Sequence, residues 1–405
     1  MVNLKIFVVL LCLLQLNCGK KAPETEVLPP EPKVETPSPI QVGAARVGEF
    51  VSLLAGKNVA MVVNQTSTIG NTHVVDTLLA LDIQIKAIFS PEHGFRGQAD
   101  AGEKIVDGKD PQTGIPLLSL YGKKRKPSAQ DLAGIDWVVF DIQDVGARFY
   151  TYISTMHYVM EACAENNIRF MVLDRPNPNG HYVDGPIMEE SYQSFVGMHP
   201  IPIVHGMTVG EYARMINGEG WLKGGIECPL TVIPCQNYRH EMTYDLPVRP
   251  SPNLPNLHSI YLYPSLCFFE GTVASIGRGT NTQFQVIGHP DYPSGDYTFT
   301  PKSMFGAKNP KLKGELCNGY DLTQKSPLEI KKEGKLNLKY LMEFYQDFPD
   351  KDQFFLKNKW IDKLAGGKHL REQIIAGKTE AEIRASWQPG LTAFKAIREK
   401  YLMYN

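Results

Sequence analysis

Glu92 and His93 put a carboxyl beside an imidazole, and Arg96 adds a guanidinium, all within Phe89-Ser-Pro-Glu-His-Gly-Phe-Arg-Gly97. Such a set can move protons at a reacting oxygen or help hold a metal, whereas an isolated Glu-His pair in a loop is usually just solvated. Pro91, Gly94 and Gly97 restrict the backbone on both sides of the pair. The segment directly follows the apolar run Ile83 to Phe89, so it is expected at a strand's C-terminal end, where open α/β sheets bind ligands.

Three more strand ends carry polar groups: Asn64 after one run, Asp141 with Gln143, Asp144 and Arg148 after another, and Asp174 with Arg175 and Asn177 after a third. In a parallel sheet these ends share one edge, which would bring several carboxyl groups to one crevice. Crowded carboxylates raise one another's pKa, so that one stays protonated as a general acid while another stays ionised. Each residue alone has a structural reading: Asp141 as a helix cap, Arg148 as the partner of Asp144, Asp174 bonding the Asn177 to Asn179 turn. Only the set on one edge favours a site. Phe95, Phe149, Tyr150, Tyr152, Asn177 and Asn179 lie nearby and suit a sugar, whose ring faces stack on aromatics while its hydroxyls need donors and acceptors. Farther on, Phe269-Glu270-Gly-Thr and Gly277-Arg278-Gly-Thr-Asn281 form a glycine-rich charged cluster that could close over the crevice.

The elements that must position these groups are short apolar runs at Val59 to Asn64, Ile83 to Phe89, Trp137 to Asp141, Phe170 to Asp174 and Leu230 to Ile233. Between them the spacing predicts helices over His73 to Leu81, Ser128 to Ala133, Tyr152 to Asn166 and Val209 to Asn217, with Ser128 and Thr208 as N-caps. Ile153, Met156, Val159 or Met160, and Cys163 mark a core face of the third helix. The alternation predicts an α/β fold, a Rossmann-like doubly wound parallel sheet over residues 43–246. Val63-Asn64-Gln65-Thr66-Ser67 offers neither a G-x-G-x-x-G turn nor a phosphate loop, so no nucleotide cofactor is expected. Pro247, Pro250, Pro252 and Pro255 predict a boundary, beyond which residues 247–405 form a smaller α+β C-terminal domain with helices from about Leu336.

With 42 basic and 43 acidic residues the chain carries no basic footprint for nucleic acid, which excludes DNA and RNA as expected partners. Lys5 and the apolar stretch Ile6 to Leu16 have the form of a signal-peptide h-region, too short to span a bilayer. Cys18 closes that stretch and is followed by Gly19, Lys20 and Lys21, the arrangement of a lipoprotein signal. Residues 1–18 are therefore read as that signal, Cys18 as the lipidated residue, and the six-proline segment 19–42 as an extended tether. The expected location is the cell envelope, anchored to a membrane and facing the periplasm. Cys163, Cys228, Cys235, Cys267 and Cys317 are too scattered for a disulfide framework or a zinc site; one Cys228 to Cys235 bridge stays open.

Ser90-Pro-Glu-His-Gly-Phe95, Phe140-Asp-Ile-Gln-Asp-Val-Gly-Ala-Arg-Phe-Tyr-Thr-Tyr152, Asp174-Arg-Pro-Asn-Pro-Asn-Gly180, Glu270-Gly-Thr with Gly277-Arg-Gly-Thr280, and Ser386-Trp-Gln-Pro-Gly390 carry a resemblance. In this order, from about residue 45 to the C-terminus, they are similar to the bacterial exo-β-N-acetylmuramidase family of peptidoglycan hexosaminidases. The resemblance implies a site in a cleft between two domains and release of N-acetylmuramic acid from non-reducing ends of peptidoglycan-derived saccharides. It also implies Glu92 as the catalytic carboxyl, with His93 beside it. Asp141 and Asp144, by strand-end position, are the candidates for a second catalytic group. The lactyl carboxylate of the sugar calls for an arginine, and Arg96, Arg148, Arg175 and Arg278 are the candidates. A metal-dependent hydrolase using His93, Asp141 and Asp174, and a lipid-anchored sugar-binding protein, are the alternative readings.

Overall fold

Strands of seven residues or fewer, apolar on both faces along most of their length, build the centre of the protein. The structure is a computed structural model and describes residues 38–92, 94–95 and 107–404. The main sheet contains β1 (Asn58–Val63), β4 (Gln84–Ser90), β5 (Gly108–Lys109), β6 (Pro116–Ser119), β7 (Trp137–Asp141), β8 (Arg169–Leu173) and β9 (Leu230–Ile233), in the order β5-β6-β4-β1-β7-β8-β9. β2 (Thr68–Ile69) and β3 (Thr72–His73) form a small hairpin beside it. All pairings in the main sheet are parallel except β5 with β6. The five expected runs became β1, β4, β7, β8 and β9; the short strands β5 and β6 at one end of the sheet were not anticipated, because so few residues carry little periodicity.

Alternation along each strand feeds two separate cores, since successive side chains point to opposite faces. Val59, Met61, Val63, Trp137, Val139, Met171 and Leu173 pack with Phe50, Leu54 and α2 (Val74–Ala80), the helix that follows the short α1 (Val51–Leu54). Ala60, Val62, Val138, Phe140, Phe170 and Val172 pack on the other face with α3 (Tyr152–Glu165) and α4 (Val209–Gly218). The expected core face of α3, including Met156, Val159 and Cys163, is buried there. Thr208 caps α4 in a reciprocal arrangement with Glu211. The expected helix over Ser128 to Ala133 is instead a set of turns: Ser128 and Asp131 cap each other's backbone N–H, but Gly134 at φ 73 ends the segment within one turn.

Past the prolines, α5 (Leu257–Leu266) opens on a capping box of Asn256 and Ser259. This helix was not expected, because burial nearly all round erases the 3.6-residue stripe and Pro264 argues against a helix. There follow β10 (Val286–His289), β11 (Tyr297–Phe299) and β12 (Cys317–Asp321), an antiparallel sheet in the order β10-β12-β11. α6 (Pro327–Glu333), α7 (Lys339–Asp347), α8 (Lys351–Phe354), α9 (Trp360–Ala365), α10 (His369–Ile375) and α11 (Glu380–Arg398) complete the chain. The larger core includes residues from both sides of the proline-rich segment, Phe140 and Phe394 among them. All five described cysteines are free and buried, so Cys228 and Cys235 are not bridged. Among the described residues no helix is long and apolar enough to cross a membrane.

Candidate active site

The sheet reverses its order at β1, with β4 and β6 on one side and β7 to β9 on the other, and the loops leaving the C-terminal ends of β4 and β7 diverge there. This is the crevice position expected of such a sheet. Glu92 stands two residues beyond β4. Its Oε1 accepts a hydrogen bond from the Tyr121 hydroxyl at 2.9 Å, and its Oε2 accepts one from Thr151 Oγ1 at 3.2 Å. Tyr121 lies just beyond β6, while Thr151 occupies the N-cap position of α3. The threonine makes no side-chain cap to its own helix, although capping typically contributes about 1 kcal/mol. Its hydroxyl turns to the carboxyl instead.

Glu92 lines an open cleft of about 460 Å³, together with Tyr121, Thr151, Phe149, Phe195, Tyr263 and Trp360. Glu270 and Arg278 line the same cleft, which brings the glycine-rich charged cluster to its wall. Arg278 Nε donates to Glu270 Oε1 at 2.6 Å, and the guanidinium lies 5.1 Å from the Phe284 ring centroid. Burial pushes the Glu270 carboxyl up, but Arg278 and Lys311 together hold it below the usual carboxylate range. Lys311 fixes the segment by donating to the carbonyls of Phe269, Thr272 and Ala274 at 3.1, 2.5 and 3.0 Å.

The other strand-end residues are framework beneath or beside this cleft, which corrects the expectation that they line it. Asp141, wholly buried, is bound in bidentate fashion by Arg175: Nε to Oδ1 at 2.5 Å and Nη2 to Oδ2 at 2.9 Å. Asp174 accepts from Thr208 Oγ1, the Gly210 N–H and the Tyr404 hydroxyl at 2.7, 2.8 and 2.6 Å, and burial pushes its carboxyl up to about 6. It thereby ties the start of α4 to the chain's C-terminal end. Asn177 holds the Asn179 N–H and the Met207 carbonyl, and Asn64 accepts from the Thr66 N–H and hydroxyl. Tyr150 donates to the Pro250 carbonyl at 2.8 Å, so the proline-rich segment covers this part of the edge.

Asp144 is also buried. Gly146 N–H donates to its Oδ1 at 2.7 Å, its Oδ2 has no hydrogen bond, and burial pushes the carboxyl up to about 7 against the pull of the Gly146 and Val145 amides. Arg148 does not pair with it. The guanidinium donates to the carbonyls of Pro186, Ile201 and Leu364 at 2.9, 2.6 and 3.0 Å, and burial without a carboxylate lowers its pKa to about 9. Arg148 thus braces the cleft wall at Leu364 rather than presenting an edge to a ligand. Asp141 and Asp174 are held by different partners, and among the described residues no three His, Cys, Asp or Glu side chains converge on a metal position. His93, Arg96 and Cys18 lie outside the described residues.

Sequence reasoning missed Tyr121, because the strand that precedes it, β6, was not anticipated, and passed over Thr151 although it lies within a quoted motif. It also missed Arg125, Phe195, Trp360 and Lys363 on the cleft walls. None of these has a local signal, since each reaches the cleft from an irregular segment or a short helix without chemistry-bearing periodicity.

The family models for exo-β-N-acetylmuramidase NamZ match this chain over residues 59–258 for the N-terminal part and 261–404 for the C-terminal part. The chain belongs to the exo-β-N-acetylmuramidase NamZ family. It is 40% identical over 378 residues to the peptidoglycan β-N-acetylmuramidase NamZ of Bacillus subtilis (strain 168), covering 88% of this chain and 89% of that one. A DUF1343 family protein of Bacteroides fragilis NCTC 9343 has a similar structure, with TM-score 0.84, 47% identity, and 91% of this chain and 99% of that one covered. A second from the same organism gives TM-score 0.75 and 30% identity over 90% of this chain and 99% of that one. In this NamZ family member the cleft draws Glu92, Tyr121 and Thr151 from the first matched region and Glu270, Arg278 and Trp360 from the second.

Proposed function

We propose that the protein is an exo-acting glycoside hydrolase that releases N-acetylmuramic acid from the non-reducing ends of peptidoglycan fragments. The observation that carries this reading is the cleft in which Glu92, held by Tyr121 and Thr151, shares one space with Glu270, in a chain of this family. Hydrolysis needs an acid to protonate the leaving glycosidic oxygen and a second carboxylate near the sugar. Glu92 is the proton donor in this proposal. Glu270, kept ionised by Arg278 and Lys311, is the carboxylate that stabilises positive charge developing on the ring, in place of Asp141 and Asp144. Phe149, Tyr263 and Trp360 supply the aromatic faces against which a sugar ring packs.

Purified mature protein should hydrolyse a chromogenic β-N-acetylmuraminide and leave the corresponding glucosaminide largely intact. A folded protein that cleaves no muraminide at any pH would refute the reading. Binding without cleavage would leave a sugar-binding protein.

The proposal includes export to the cell envelope and anchoring through a lipid on Cys18, supported by the apolar stretch before that cysteine and the proline-rich segment after it. A metabolic fatty-acid probe should label the wild type and not Cys18→Ser. Equal release of both forms into the soluble fraction would leave simple secretion.

A further inference from the structure

We infer that Arg125, shelved on Phe195 and assisted by Lys363, is the anchor for the carboxylate on the lactyl arm of the muramoyl residue; the inference rests on the function just proposed. Three of the four arginines that the sequence offered for this role are engaged elsewhere. Arg148 is tied to three carbonyls, Arg175 to Asp141 and Arg278 to Glu270, while Arg96 lies outside the described residues.

Arg125 and Lys363 are the exposed cations of the cleft that no carboxylate neutralises among the described residues. Each sits beside an aromatic ring instead. The Arg125 guanidinium carbon is 4.4 Å from the Phe195 centroid, and Lys363 Nζ is 6.0 Å from that of Trp360. A ring face holds a cation in place without occupying its N–H edges, and a guanidinium so placed keeps its fork for a bidentate carboxylate.

The shelf is itself fixed. Phe195 stands in a turn closed by reciprocal backbone hydrogen bonds between Ser194 and Gly197 at 2.9 and 3.0 Å. Its ring stacks on Tyr158 with centroids 6.3 Å apart. On another side it meets Tyr121 in an edge contact with centroids 6.5 Å apart, and the Tyr121 hydroxyl donates to Glu92 Oε1. One continuous aromatic wall therefore runs from the cation to the proposed acid. The charge count of the cleft agrees: among the described residues Arg125, Arg278 and Lys363 face Glu92 and Glu270, three cations against two carboxylates. One arginine is already matched to Glu270. A neutral hexosamine needs no such surplus, whereas an acidic one does.

The test compares three aryl glycosides: the β-N-acetylmuraminide with a free lactyl carboxylate, the same compound with that carboxyl capped as a simple amide, and the β-N-acetylglucosaminide. Wild type should prefer the free acid over its amide. In Arg125→Gln, kcat/KM on the free acid should fall about 10- to 100-fold, mainly through KM, which is the size expected for losing a hydrogen-bonded charge partner. The ratio of acid to amide cleavage should collapse with it. Arg125→Lys should recover part of the loss, and Lys363→Gln should show a smaller loss of the same kind. Arg125 is exposed, so the substitution should leave the fold intact, which circular dichroism and thermal unfolding will check. Equal cleavage of acid and amide by wild type, or an Arg125→Gln variant that keeps the wild-type ratio, overturns the assignment while the muramidase reading stands. Failure of wild type on every muraminide overturns that reading instead.

Discussion

Glu92→Gln should lose roughly 10²-fold or more of its turnover on a natural muramoyl disaccharide, the usual size of general acid catalysis. Glutamine keeps the shape of the side chain and an oxygen for the Tyr121 or Thr151 hydroxyl, so the variant should fold and still bind substrate. What it lacks is a proton to give to the leaving oxygen. A dinitrophenyl muraminide, whose leaving group departs without protonation, should therefore recover much of the lost rate. Parallel kinetics on the two substrates decide the role. Wild-type turnover on the disaccharide removes Glu92 from the mechanism, and an equal loss on both substrates makes it a nucleophile or a positioning residue.

Two aspartates three residues apart should respond in opposite ways to the same change. Asp141→Asn leaves the Arg175 guanidinium buried without its carboxylate, and breaking a buried pair in this way costs about 3–5 kcal/mol. The denaturant midpoint should drop accordingly, while turnover of the folded fraction stays near wild type. A large loss of turnover at unchanged stability would restore Asp141 to the catalytic group. Asp144 has no cation to lose. Its folded pKa, about 7, lies above the ordinary 3.8, so between these values the folded form keeps a proton that the unfolded form has released. The contribution of Asp144 to stability is therefore largest below about pH 4 and falls as pH rises towards 7. Asp174, raised to about 6, adds a decline of the same sign that ends earlier. Asp144→Asn should remove the Asp144 part of this decline, most clearly between pH 6 and 7. An unchanged slope between pH 6 and 7 would show that Asp144 ionises in the folded protein as it does in the unfolded chain.

Much of the fold was legible from the chain alone, and so was the loop that carries Glu92. A parallel strand buried on both faces must be apolar along its whole length, as Val-Ala-Met-Val-Val and Trp-Val-Val-Phe are, and such a run is visible without knowing its neighbours. A charged loop that follows it directly has to emerge at the sheet's edge. Local signals of this kind also placed Thr208 at the start of α4 and the core stripe of α3. They were too weak for the two- and four-residue strands β5 and β6. They misled at α5, where burial all round leaves no periodic stripe.

Which polar groups face the cleft was decided only in three dimensions. Asp141, Asp174 and Arg148 look in the sequence as available as Glu92. Burial, however, obliges each to find partners, and these lie far along the chain: Arg175 for Asp141, Tyr404 for Asp174, Leu364 for Arg148. The partners of Glu92 are hydroxyls from two other strand-end loops, and Glu270 with Arg278 arrives from beyond the prolines. A chain encodes its apolar periodicity in neighbouring residues. The desolvation that turns one carboxylate into a structural ion pair and leaves another facing the cleft depends on which distant segments close over it, and only the folded packing determines that.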